Sequence, residues 1–392
     1  MAKRIGLTGN EAIAYAAKQC DVDVVSAYPI TPQTIIVEKY SEYVADGEVD
    51  TELVNVESEH SALSACIGAS LTGARVFTAT ASQGLALMHE VLYIASGLRC
   101  PIVMGIANRA LSAPLNIHGD HSDMMGSRDC GWIQIFAENA QEAYDWTIQA
   151  FRLSEDPGVL LPSCVNIDGF IISHSMEGVE VLEDGAVRAF LPPRSDARTI
   201  DPERPSTIGP VALPDYYFEF KRQQAEAMRK VPPVLEKVCR EFEKASGRGY
   251  GKFQSYGMRD AKTAIVCMGS AAGTARHVAK ALRGRGERVG MVKLWLYRPF
   301  PADELARELE GLRSVVVMDR AISFGAPFGP LCSDVIGAVH GKLPKLKILN
   351  AIYGLGGRDV TTRDMEALYR DGLRAAGAKA LRAPVKYVGV RD

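Results

Sequence analysis

Residues 52–92, ELVNVESEHSALSACIGASLTGARVFTATASQGLALMHEVL, hold the stretch that decides the fold. Val54-Asn55-Val56 is strand-like, and Ser58 can cap a helix that opens at Glu59. That helix carries Ala62, Ala65, Gly68 and Ala69, so a neighbour packs closely on it. A second β-run, residues 75–80, exits into Thr80-Ala81-Ser82-Gln83-Gly84, whose small residues can bring backbone N–H groups close to a ligand. Such a βαβ unit can hold a flat, charged cofactor against one ionisable group.

The same alternation continues on both sides. Thr8-Gly9-Asn10-Glu11 reads as a capping box before a helix over 12–18, and a buried strand follows over 22–27. That strand ends at Tyr28-Pro29-Ile30-Thr31-Pro32, a rigid extended exit because each proline restricts itself and its predecessor. Downstream, the pattern predicts a helix over 60–71 and one over 83–96. Strands over 101–107 and 132–136, a helix over 140–155 and a strand over 159–166 complete the unit. Short apolar strands alternating with helices specify an α/β fold with a parallel sheet covered on both faces.

Three regions are expected. Residues 1–190 form the first domain, and 191–258 a proline-rich arm with a connecting helix. Eight prolines fall between Leu191 and Pro233, yet Tyr216-Tyr217-Phe218-Glu219-Phe220 is too aromatic for a plain linker, so the arm should pack on a neighbouring surface. Residues 259–392 form a smaller, doubly wound α/β domain. Its Gly269-Ser270-Ala271-Ala272-Gly273 and Gly354–Asp359 stretches read as fold-supporting turns, since neither completes a dinucleotide fingerprint.

Bulk composition narrows the partners. A net charge of −2 with 23% charged residues gives no electrostatic reason to expect nucleic acid or an anionic membrane. The apolar runs are too short for a membrane span, and no signal-peptide core is expected, which places the chain in the cytoplasm. The eight cysteines contain no CxxC pair, so the chain is not expected to build an iron–sulfur or structural zinc site of its own. No metal-binding residue is assigned.

Three places could carry chemistry. Glu59 is a lone carboxylate at a strand–helix junction, although an acid in a first turn ordinarily complements the helix dipole. Arg109 follows a strand at the carboxyl edge where open α/β sheets bind ligands, and its guanidinium can grip a carboxylate at two points; a surface salt bridge is the plainer alternative. His118-Gly119-Asp120-His121-Ser122-Asp123 gathers metal-type side chains in one loop, but its spacing matches no strong ligand pattern, and a polar site wall or an Asp-capped loop suits it better.

Five motifs then converge on one family. Tyr28–Pro32, Glu57–Ala62, Thr80–Leu85, Ala107–Pro114 and Arg128–Gln134 resemble, in order, the α subunit of 2-oxoacid:ferredoxin oxidoreductases, the pyruvate enzyme especially. Arg298-Pro299-Phe300-Pro301 extends the likeness into the second domain. The resemblance implies a thiamine diphosphate-binding, pyrimidine-type domain followed by a transketolase C-terminal-like domain. It also implies a complex with β-, γ- and δ-type subunits, in which partner chains hold the cofactor's diphosphate, its Mg2+ and the 4Fe-4S clusters. Coenzyme A is the co-substrate and ferredoxin, or a similar carrier, the electron acceptor.

By position, the resemblance makes Glu59 the glutamate that hydrogen-bonds the aminopyrimidine and favours its imino tautomer. Arg109 becomes the partner of the substrate carboxylate, and Thr31 a hydrogen-bond donor to substrate. Pro29, Ser82, Gln83 and Gly84 line the cofactor pocket, and His118 borders the substrate. One departure stands out: pyruvate-type relatives carry Trp-Asn where this chain has His118-Gly119. Loss of the indole predicts room for an oxoacid bulkier than pyruvate, such as phenylglyoxylate or a branched acid. A non-oxidative or transketolase-like thiamine enzyme component and a non-catalytic scaffold subunit stand as alternatives.

Overall fold

Two parallel-centred sheets, covered by helices, make up the chain. The computed structural model describes residues 3–194, 199–379 and 384–391. The larger sheet has seven strands in the order Leu296–Arg298, Ile133–Phe136, Ser163–Asp168, Val103–Asn108, Val76–Thr80, Val24–Ala27 and Glu52–Asn55. Every neighbouring pair in it is parallel except the edge strand Leu296–Arg298. The smaller sheet has six strands, ordered Val385–Tyr387, Lys347–Ile352, Ser314–Asp319, Thr263–Cys267, Val289–Leu294 and Phe253–Tyr256, with only the last antiparallel.

Local chemistry explains most of the elements. The Thr8–Glu11 capping box forms in both directions, and its helix runs Gly9–Gln19. Ser58 caps the helix Glu59–Leu71 by accepting from the Ser61 amide. The expected single helix over 83–96 is two, Ser82–Leu87 and His89–Gly97. The strand expected over 159–166 is Ser163–Asp168 instead. Leu160 lies at φ 42°, outside strand geometry, and Pro162 has no N–H for a ladder.

Several elements lacked a periodic signal. The helix Thr34–Ala45 begins directly after the Pro29–Pro32 exit. Lys3–Leu7 pairs with Glu177–Val181 as a separate antiparallel ribbon. Within the arm, Ile200 donates to the Leu71 carbonyl and Gln224 to Ser96, so the arm lies across the helices that carry the first domain's outer face. Pro214 opens a helix that reaches Ser246, through Pro232 and Pro233. Its later half buries Ala227, Val231, Leu235, Val238, Cys239 and Phe242, a stripe at helical spacing.

The two sheets are not independently packed. One apolar cluster runs from Leu63, Met104 and Trp132 of the first unit to Val292, Val315 and Leu331 of the second. The backbone is shared as well: residues 289–298 supply a strand to the small sheet and then the edge strand of the large one. Between them Lys293, 1% exposed, donates to Glu138 and Glu142, while the Trp295 ring nitrogen donates to Glu142 at 2.8 Å. A buried ammonium between two carboxylates is stable only with such saturation. Among the described residues no helix is long and apolar enough to cross a membrane.

Candidate active site

The carboxyl ends of three neighbouring strands, Val24–Ala27, Val76–Thr80 and Val103–Asn108, open onto one place. In a parallel sheet these ends share an edge, so loops far apart in sequence meet there. The exit of the first strand is fastened from below. Asn10 Nδ2 donates to the Pro32 carbonyl at 2.7 Å, and buried Gln33 accepts from the Ile30 amide and donates to the Ala79 carbonyl. That leaves Tyr28, Pro29 and Thr31 exposed above.

Glu59 is 7% exposed at the start of its helix. Among the described residues its carboxylate has no hydrogen-bond or ion-pair partner. A carboxylate so placed, without a protein partner, is open to a hydrogen bond from a ligand. Gly84 lets the carboxylate pack this close to its backbone. A Cβ at position 84 would stand 2.6 Å from Glu59 Oε1 and 2.5 Å from Thr80 Oγ1, so only glycine fits.

Arg109, 6% exposed, turns its guanidinium back onto the neighbouring loops. Nη1 donates to the Thr31 carbonyl at 2.8 Å and Nε to the Asn116 carbonyl at 2.9 Å. Thr31 and Arg109 therefore meet directly, and Nη2 makes no hydrogen bond among the described residues. Burial pulls this guanidinium down from its usual value, yet an arginine stays cationic at any working pH.

Ser82 takes the left-handed backbone conformation, φ 47°, and its hydroxyl donates to the Ala110 carbonyl at 2.6 Å. Gln83 donates to Ser112 Oγ at 2.8 Å. The Thr80–Gly84 turn and the Asn108–Ser112 exit are thus stitched together. Both pivot on Asp123, whose carboxylate accepts from the Ser82 and Arg109 amides. Burial pushes the Asp123 carboxyl up to about 6 despite those bonds. Its place in a loop of polar residues was visible in the sequence; its partners, on two other loops, were not.

The rest of the His118–Asp123 loop divides its duties. Asp120 accepts from Ser122 and the Gly356 amide, and His121 pairs with Asp168 at 2.6 Å. Asp168 also receives Arg320 at 2.8 Å and the Ser270 amide, which holds its carboxyl well below the usual carboxylate range. Among the described residues no group of three or more His, Cys, Asp or Glu assembles as a cation site.

His118 is exposed, 4.9 Å from the Phe170 ring, and its carbonyl accepts from the Ala110 amide beside Arg109. No hydrogen bond, ion pair or ring contact joins its side chain to Glu59, Thr31 or Arg109 among the described residues. Of the His118-Gly119 pair expected to open space, the glycine itself adds none. A Cβ there would lie 2.6 Å from the Gly169 carbonyl oxygen and 2.9 Å from its nitrogen, so this glycine admits a neighbouring backbone and leaves no cavity.

Comparison with known proteins gives this geometry a context. A family profile described as pyruvate flavodoxin/ferredoxin oxidoreductase, thiamine diphosphate-binding, matches residues 15–240. A second, pyruvate:ferredoxin oxidoreductase core domain II, matches residues 261–365. The chain is 48% identical over 391 residues to pyruvate synthase subunit PorA of Thermotoga maritima, covering 100% of this chain and 99% of that one. It is 44% identical over 367 residues to ketoisovalerate oxidoreductase subunit VorA of Pyrococcus horikoshii, covering 93% and 92%. Among solved structures, a 2-oxoglutarate:ferredoxin oxidoreductase from Magnetococcus marinus matches with a TM-score of 0.73 at 18% identity, over 95% of this chain and 66% of that chain. A split-gene transketolase, an inactive tetramer, matches with a TM-score of 0.56 at 13% identity, over 95% of this chain and 100% of that one. These two likenesses carry the fold, while the full-length relatives and both profiles carry the lineage: the chain belongs to the pyruvate flavodoxin/ferredoxin oxidoreductase family.

Proposed function

We propose that this chain is the α-type subunit of a cytoplasmic, thiamine diphosphate-dependent 2-oxoacid:ferredoxin oxidoreductase. With β-, γ- and δ-type partners it converts a small 2-oxoacid and coenzyme A into acyl-CoA and carbon dioxide. Pyruvate is the first substrate and 2-oxoisovalerate the second, in keeping with the names of the full-length relatives. Phenylglyoxylate is the third candidate, resting on the replacement of an indole by the exposed His118, since the packed backbone at Gly119 adds no room.

One observation carries the reading: the buried Glu59 carboxylate, without a partner among the described residues, packed directly against the Gly84 backbone. The chemistry of this donor set fits an aminopyrimidine ring, which needs one carboxyl and close backbone approach. Glu59, Ser82, Gln83 and Gly84 would hold that ring, with Pro29 against it; the diphosphate, Mg2+ and 4Fe-4S clusters are assigned to partner chains. When bound, thiamine diphosphate supplies a nucleophilic carbon and a sink for the electron pair freed by decarboxylation.

This chain's residues supply the rest. Glu59 Oε1 or Oε2 would exchange a proton with a ring nitrogen of the bound cofactor. Arg109, braced by two backbone carbonyls, offers its remaining Nη2 to the substrate carboxylate. Thr31, pinned through its own carbonyl to Arg109, presents its hydroxyl to the oxoacid from the same side.

The test is coenzyme A-dependent reduction of ferredoxin by the assembled complex, over pyruvate, 2-oxoisovalerate and phenylglyoxylate. Turnover of the two small oxoacids, with Glu59→Gln lowering it by about 10²-fold or more, is expected for a group that moves a proton. Absence of turnover on all three, or an unimpaired Glu59→Gln complex, refutes the reading.

A further inference from the structure

Strands Val76–Thr80 and Val103–Asn108 are neighbours, and their registered pairing ends at Thr80 with Ile106. Beyond that point the backbones must separate to make the site, and no ladder bond holds their spacing. Asp123 stands there, 3% exposed, in the short helix Ser122–Gly126. Its Oδ2 accepts from the Ser82 amide at 3.0 Å and the Arg109 amide at 2.9 Å. Its Oδ1 accepts from Asn108 Nδ2 at 2.9 Å and the Met124 amide at 2.7 Å.

We propose that Asp123 is a positioning residue for the oxoacid, setting the spacing between the Ser82–Gly84 turn and Arg109 across the end of the ladder. The inference rests on the active-site reading above and deepens it. One side of the clamp leads to Gly84, against which the Glu59 carboxylate packs; the other leads to the substrate's cationic partner. Four donors converge on one group, and only an ionised carboxylate accepts on every side. Ser82 also needs an anchor, because a non-glycine residue at φ 47° resists that conformation.

Asparagine has the right shape and the wrong chemistry. Asp123→Asn keeps the volume but turns an NH2 toward N–H groups on one side. A purely structural role would lower the amount of active complex, so kcat per total enzyme would fall while the oxoacid KM stayed constant. A positioning role moves the Arg109 guanidinium and changes KM itself.

The experiment compares wild-type and Asp123→Asn complexes in steady state, with active sites counted by bound thiamine diphosphate. Asp123→Asn is expected to raise the oxoacid KM by about tenfold, the scale of one lost charged hydrogen bond. Asn108→Ala, which removes one donor from Oδ1 and leaves the carboxylate in place, is expected to raise it by roughly threefold. If the asparagine variant does not assemble, Asn108→Ala decides alone. A KM within experimental error of wild type in every variant that assembles overturns the proposal. A wild-type complex that turns over no oxoacid refutes the enzymatic reading instead, so the two failures are distinct.

Discussion

Replacing Gly84 by alanine sets helix propensity against site geometry. Gly84 lies inside the helix Ser82–Leu87, where alanine gains about 1 kcal/mol over glycine. The added methyl, however, arrives 2.6 Å from Glu59 Oε1, 2.9 Å from Glu59 Cδ and 2.5 Å from Thr80 Oγ1. Ordinary contacts are nearer ~3.5 Å, so each neighbour must retreat by about 1 Å. Thr80 can turn without losing a bond, since its hydroxyl is buried and unpaired. Glu59 is a flexible side chain and can swing, but only away from the place where it acts. Overpacking of this kind costs about 1–3 kcal/mol, which the propensity gain partly offsets. Stability should therefore change by no more than about 2 kcal/mol. Activity should not be spared: a misplacement near 1 Å costs on the order of 10²-fold. The assay pairs the complex's melting temperature with its kcat/KM for pyruvate. A Gly84→Ala complex retaining kcat/KM within threefold of wild type would mean that the Glu59 carboxylate is not where chemistry depends on it.

Two other perturbations separate substrate binding from scaffolding. Arg109→Lys keeps the charge but cannot satisfy both the Thr31 and Asn116 carbonyls while reaching a substrate, so the pyruvate KM should rise about tenfold or more with thiamine diphosphate affinity unchanged. Parallel loss of cofactor and substrate affinity would assign Arg109 to the pocket's framework. Asp168→Asn breaks a buried cluster with His121 and Arg320 and should cost about 3–5 kcal/mol at neutral pH. Because Asp168 is held below its ordinary 3.8, its contribution is whole above that value and fades as pH falls through the folded-state value. Melting temperatures of the two proteins should therefore run parallel at neutral pH and converge in acid; a gap that widens on acidification contradicts the assignment.

The sequence disclosed what local rules govern. Alternating apolar runs gave the parallel sheet, and Thr8–Glu11 and Ser58 announced their helices through capping chemistry. Glu59, Arg109 and the small-residue turn were legible because a parallel sheet sends all its loops to one edge. What escaped notice depends on pairing across distance. The edge strand Leu296–Arg298 has too few residues for a period to declare itself, and its partner lies 161 positions away, Leu296 against Ile135. The packing at Gly119 was illegible because a missing side chain looks the same in a sequence whether it leaves a void or admits another backbone. Asp123 stood in a conspicuous polar loop, but the amides it holds belong to Ser82 and Arg109, whose proximity only the fold creates.

The shared passage at 289–298 bears on how this protein could be re-engineered. A chimera that replaces the smaller unit with a relative's at a boundary near residue 260 removes a rung of this chain's large sheet. It also removes Lys293 and Trp295, while their partners Glu138 and Glu142 remain behind. The smaller unit is thus no interchangeable cassette: those four side chains have to travel together, or the transplant starts life with a stranded buried charge.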